Sequence, residues 1–161
     1  MKVQAGVRGR AGVRVQAASV EAVQGALAAE HAAVWTYGLV SAFIAVPQQS
    51  AAVADGANAH RARRDVTERW LRDAGATPIP PAAAYLPPQP VDSAASAIAA
   101  LVTVETDACM AWRGVLERTE DGELRKSALD ALTVSAVRAT RWRKVAGLTP
   151  TSIVFPGAGV G

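Results

Sequence analysis

Apolar side chains recur in alternating steps of three and four through four separate stretches of the chain. Val20, Val23, Leu27, Glu30, Val34, Tyr37, Ser41 and Ile44 carry this rhythm first, and Val53, Ala57, His60, Arg64, Thr67 and Leu71 carry it second. Ile98, Leu101, Glu105, Ala108, Trp112 and Val115 form the third run; Leu124, Ala128, Ala131, Ser135, Arg138 and Trp142 form the fourth. Such spacing is the inward seam of a bundle helix. Ser19 is placed to cap the first helix and Pro47 to stop it, which predicts a helix over 19–46. Ser50 opens a second that ends at Gly75, Asp92 or Ser93 caps a third reaching Arg118, and the Glu120-Asp121-Gly122 turn leads into a fourth ending at Gly147. The expected domain plan is a basic flexible arm over 1–18, a four-helix bundle over 19–147 and a tail over 148–161.

The connections predict the topology. Helices one and two, and helices three and four, are joined by only a few residues, so each pair is antiparallel. Between helices two and three lie 17 residues with six prolines, GATPIPPAAAYLPPQPV. In polyproline form this stretch reaches ~50 Å at ~3.1 Å per residue. Helix two is about 37 Å long at ~1.5 Å per residue. A Pro-rich crossover running the length of the bundle, with helices two and three parallel, is therefore expected.

Composition excludes several classes. Of the 161 residues 36 are alanine, the best helix former and a poor strand former, so a β-sandwich is ruled out. Half of the chain is apolar and 19% is charged, with a net charge of +3, which is not the balance of a disordered chain. Cys109 stands alone, so no intramolecular disulfide and no cysteine-based zinc site can form. The basic start, MKVQAGVRGRAGVRVQ, is not followed directly by the apolar run of a secretory signal. The uncharged stretch over 32–46 falls short of the ~20 residues of a membrane span. A cytoplasmic protein without a membrane partner is expected.

Candidate chemistry comes from the exceptions to the pattern. Glu30, His60, Glu105 and Arg138 occupy seam positions near the middle of the four helices, where an isolated charge is costly unless it pairs or binds a metal. The phrases EHAAVWTYGLV and HRARRD, the linker from Ala-Thr-Pro to Tyr85-Leu-Pro-Pro, and ATRWR resemble an alanine-rich ferritin-like domain family of unknown function, over about 19–147. The resemblance implies an all-α, ferritin-like four-helix bundle, dimeric, with no established activity. Metal-binding bundles of that fold place a Glu on helices one and three and a Glu-x-x-His motif on helices two and four. Glu30, His60 and Glu105 match three of those positions, whereas Ala57, Ser135 and Arg138 replace the others.

Two readings of the central residues follow. In the first, Glu30, His60 and Glu105 hold a single iron or manganese ion as a variant of the facial triad, and the chain is an oxidoreductase. In the second, which the chemistry favours, the two carboxylates are neutralised by Arg138 and protonated His60, with Arg64 or Arg63 able to stand in for the histidine, and no cofactor is needed. The chain then reads as a degenerate di-iron bundle acting as a structural or interaction module. Helix one carries only Glu21, Glu30 and His31 as ionisable groups, so its wide apolar surface calls for cover from the tail or from a second copy in a homodimer through helices one and two. The arginines at 61, 63, 64, 69 and 72, and the cations at 138, 141, 143 and 144, raise nucleic-acid binding as a third class, but Asp65, Glu68 and Asp73 interrupt them as on a solvated face. Tyr37 and Tyr85 are candidate hydroxyl donors to the carboxylates, and Ile153, Val154 and Phe155 are candidates to dock as an extended segment.

Overall fold

The computed structural model describes the backbone of residues 4–159 and the side chains of residues 16–159. It is all-helical: α1 Gln4–Val40, α2 Pro47–Asp73, α3 Ala94–Arg118 and α4 Gly122–Val145. α1 continues back through the basic stretch to Gln4 instead of starting at Ser19. No proline interrupts 1–46, and Ser19 lies within α1, where its hydroxyl donates to the Arg118 carbonyl at 2.8 Å and ties α1 to the end of α3. The side chains before Gln16 and all of residues 1–3 lie outside the described residues, as does the role of a basic arm.

The other boundaries follow local chemistry. α1 stops at Val40 and α2 opens on Pro47, because a proline at the first helical position gives up an N–H that would be unsatisfied there. Gly75 and Gly147 turn the chain out of α2 and α4 with φ of 77° and 70°, the left-handed termination that glycine adopts without a Cβ clash. Ser93 caps α3 in a reciprocal box with Ser96, and Asp121 caps α4 by accepting from the Leu124 N–H at 2.7 Å.

Contacts order the helices. Along α1, Ser19, Glu30 and Tyr37 meet Arg118, Trp112 and Glu105 of α3 in turn, so the two run antiparallel. Glu30 meets His60 of α2 while Tyr37 lies over Gly56, again antiparallel. α1 packs on α2 and α3, and α3 packs on α4. The Pro-rich segment lies along α1: Gln24 bonds the backbone of Thr77 and Ile79, His31 Nε2 lies 3.2 Å from the Ile79 carbonyl, and Trp35 meets the Tyr85 ring at 6.0 Å. This segment supplies cover that the apolar surface of α1 requires.

Buried apolar residues form two clusters. One gathers Tyr37, Val40, Ile44, Val53, Leu101 and Trp142; the other gathers Val23, Leu27, Leu71, Trp112, Val115 and Leu124. Between them lies the polar layer described next. By length and composition α3 is the one described helix able to cross a membrane, yet its inward face, including Glu105 and Trp112, is built into this core.

Candidate functional site: a buried carboxylate and histidine layer

All four helices contribute to the layer. Glu30 and Tyr37 on α1, and Glu105 and Trp112 on α3, are each separated by seven residues, so each pair projects from one helix face about two turns apart. Because α1 and α3 are antiparallel, Glu30 meets Trp112 and Tyr37 meets Glu105. The indole Nε1 of Trp112 donates to Glu30 Oε1 at 2.7 Å. The Tyr37 hydroxyl donates to Glu105 Oε1 at 2.5 Å. α2 places His60 between the two carboxylates, Nδ1 at 2.7 Å from Glu30 Oε2 and Nε2 at 3.1 Å from Glu105 Oε1. Trp142 of α4 completes the chain by donating from Nε1 to the Tyr37 oxygen at 3.3 Å. Glu30, His60, Glu105 and Ser135 are each fully buried.

A cation enters from α2. Arg63 Nη1 lies 3.2 Å from Glu30 Oε1 and 3.1 Å from Ser135 Oγ, with the side chain 14% exposed. Two carboxylates facing one guanidinium and one imidazolium sum to zero, the condition under which a buried charged cluster is tolerated. Arg63 thus holds the place for which Arg64 and Arg138 were the leading expectations. Arg64 lies about 100° further around α2 and pairs with Asp65 at 2.8 Å. Arg138 reaches across to α2 and pairs with Asp55 at 3.1 Å.

Proton affinities follow from the same contacts. Burial pushes the Glu30 carboxyl up, but His60, by hydrogen bond and charge, together with Arg63 and Trp112, outweighs it and holds the group below its ordinary value. Burial alone lowers His60; hydrogen bonds and charge from Glu105 and Glu30 outweigh that and raise it, favouring the protonated ring. Burial and the neighbouring Glu105 charge raise Tyr37, which stays a hydroxyl donor. The Cys109 thiol, buried and near Glu105, is pushed up to about 12 and is unreactive.

As arranged, these side chains do not fit a metal. A ligating histidine keeps one nitrogen unprotonated for the ion, and His60 gives both to carboxylates. Three of the four carboxylate oxygens already have partners; only Glu105 Oε2 has none. Arg63, which cannot deprotonate, sits within the cluster. Among the described residues no group of three or more histidine, cysteine, aspartate or glutamate side chains is arranged to hold an ion.

Several participants were not read from the sequence. Trp112 and Trp142 act as donors as well as packing pillars; the signal was the rule that a buried indole N–H finds an acceptor. Gly56 had no role, yet a Cβ there would collide with the Tyr37 ring, so only glycine lets that ring lie against α2. Tyr37 reaches a carboxylate, whereas Tyr85 accepts from the Ala82 N–H at 2.9 Å in the Pro-rich segment. In the tail Ile153, Val154 and Phe155 are exposed, and Gly157 makes the close approach, against the backbone of Cys109.

Fold and site together define an all-helical, four-helix domain whose middle layer is a hydrogen-bonded cluster of ionisable groups. Residues 22–160 match the family described as a domain of unknown function, DUF4439, and the chain belongs to that family. It is similar to a conserved hypothetical protein, rv2844, from Mycobacterium tuberculosis, known from a crystal structure: identity is 43%, TM-score 0.77, and the match covers 80% of this chain and 97% of that one. No curated protein matches the chain. These relatives indicate no specific function.

Proposed function

We propose that this chain is a non-catalytic structural or interaction module on a ferritin-like scaffold, with a neutral hydrogen-bonded cluster standing where metal-binding relatives of that fold hold a di-iron centre. The topology that supports the scaffold is the antiparallel packing of both α2 and α3 on α1, with the Pro-rich segment running beside α1 from Gln24 to Trp35 as a crossover. The observation that carries the functional reading is the engagement of both His60 nitrogens by carboxylates. With both ring nitrogens and three of the four carboxylate oxygens engaged, the role of the cluster is to fix the register of four helices.

Elemental analysis of protein purified without chelator, before and after anaerobic incubation with ferrous iron or manganese, tests this. Substoichiometric metal in both samples is expected; one iron or manganese per chain would overturn the reading and restore the oxidoreductase alternative. The same proposal holds that the module is cytoplasmic and self-associates, and a monomeric mass by light scattering at micromolar concentration would remove the second part. Nucleic-acid binding is disfavoured because basic faces carry their own acids, as in the Arg72–Glu68 and Arg113–Glu117 pairs.

A further inference from the structure

α2 and α4 meet through polar side chains, Arg63 with Ser135 and Asp55 with Arg138, and between the start of α2 and the end of α4 the seam opens into a cavity of about 260 Å³. Arg138 and Arg141 project from α4 into its lining, Trp142 forms part of the wall, and Asp55 is the one acidic residue there. The lining therefore carries two positive charges and one negative, a surplus of one cation. Arg138 is only 13% exposed, and its one ionic partner among the described residues, Asp55, is 75% exposed. Arg138 Nη1 is buried with no hydrogen-bond partner among the described residues. A guanidinium desolvated to this degree is poorly compensated by a carboxylate that water screens.

Other features of the cavity share the same sign and shape. Gln48 and Gln49, which also line it, are in the first turn of α2, where backbone N–H groups lack intrahelical acceptors. That turn holds no acidic residue and Val46 provides no side-chain cap. Ala52, Val145 and the Trp142 ring supply an apolar wall. The layer at the centre is already neutral without Arg138, so this surplus charge is not spent there.

We infer that this cavity is a binding site for a small organic monocarboxylate with an apolar body, its carboxylate held between Arg138 and Arg141 and its body against Trp142. The single negative charge matches the surplus, and a guanidinium fork matches carboxylate geometry. The assignment goes beyond the structural role proposed for the central layer and does not depend on it. Trp142 links the two, since its indole N–H reaches Tyr37 and, through it, Glu105; an occupant on the Trp142 wall is felt at that N–H.

Titration of the full chain with sodium benzoate, followed by calorimetry and by the indole N–H resonances in two-dimensional NMR, tests the site; benzamide and inorganic phosphate are parallel probes. Saturable benzoate binding that shifts the indole resonance lost in Trp142→Phe is expected, with no response to the neutral benzamide. Arg138→Met and Arg141→Met each weaken binding about tenfold or more, the loss of one charge-assisted contact. Asp55→Asn, at an exposed position, removes the competing carboxylate and tightens binding about two- to fivefold. Should Arg138→Met fail to fold, the opposite signs of Asp55→Asn and Arg141→Met remain decisive. Absence of saturable benzoate binding, equal affinity in parent, Arg141→Met and Asp55→Asn, or binding of phosphate without benzoate would each overturn the assignment.

Discussion

Leu27 and Glu30 lie one turn apart on α1, both fully buried, yet they belong to regions governed by different physics. Leu27 sits in an apolar cluster, where burial is non-directional and a side chain of similar volume serves nearly as well. Glu30 sits in the central layer, where Trp112, His60 and Arg63 each direct a donor at one of its oxygens. Removing a methylene from the first leaves a smaller contact; removing the carboxylate from the second leaves two cations facing one remaining carboxylate. The apolar clusters supply adhesion, and the layer between them determines which helix faces which. It does so at the cost of depending on every member.

The largest effect expected from breaking that contrast is at Glu30 itself. Glu30→Ala should lose on the order of 3–5 kcal/mol of unfolding free energy, the range for stripping one partner from a buried ionic cluster. Leu27→Met should lose less than about 1.5 kcal/mol. Equal losses in denaturant titrations of the two variants would erase the distinction.

Gly56→Ala acts where the layer joins the apolar cluster around Tyr37. The added methyl collides with the Tyr37 ring, so a destabilisation of about 1–3 kcal/mol from overpacking is expected, together with loss of the Tyr37 to Glu105 bond. In a Tyr37→Ala background, where the ring is gone, Gly56→Ala should cost less than it does in the parent, which would identify the collision as the cause. An equal cost in the two backgrounds would show that the glycine matters for another reason.

Acidity separates the regions next, because Glu30 and His60 titrate and Leu27 does not. The raised His60 contributes stability that is complete below its ordinary value of 6.5 and is lost as pH rises through its higher folded value. The lowered Glu30 contributes stability that is present above 4.5 and is lost as pH falls through its lower folded value. The contribution of these two groups should therefore be greatest between about pH 4.5 and 6.5, with a decline from about pH 6.5 to 8.5 that is absent from His60→Gln. A parent profile that rises from pH 6.5 to 8.5 would contradict the assignment of a protonated ring.

The smallest effect serves as a control. Ser93→Ala removes the cap of α3, outside the layer, and should cost about 1 kcal/mol while leaving the alkaline decline of the parent in place. A changed pH profile in this variant would mean that the layer is not the only titrating contribution.

What the sequence disclosed divides along the same line. Helices were legible from periodicity and punctuation, and seam spacing alone brought Glu30, His60 and Glu105 to one level. The choice among the candidate cations, Arg138, Arg64 and Arg63, was not, because Arg63 and Arg64 differ by a rotation of about 100°, which a seam drawn in steps of three and four does not resolve. Arg138 shares the seam, but its long side chain lets the guanidinium leave the axis for Asp55. Gly56 was silent because a missing side chain signals nothing until the ring that fills its place is known. The demand of α1 for extra cover was legible, whereas the element supplying part of it, the segment with Thr77, Ile79 and Tyr85, was read only as a connection.

The central claim is that His60 is an imidazolium bridging two carboxylates, and nitrogen NMR of the imidazole ring tests it most directly. At neutral pH both Nδ1 and Nε2 of His60 should carry protons, with two N–H signals protected from exchange and unchanged by ferrous iron or manganese. A ring with one unprotonated nitrogen, whose resonance moves or broadens stoichiometrically when either metal is added, would contradict it.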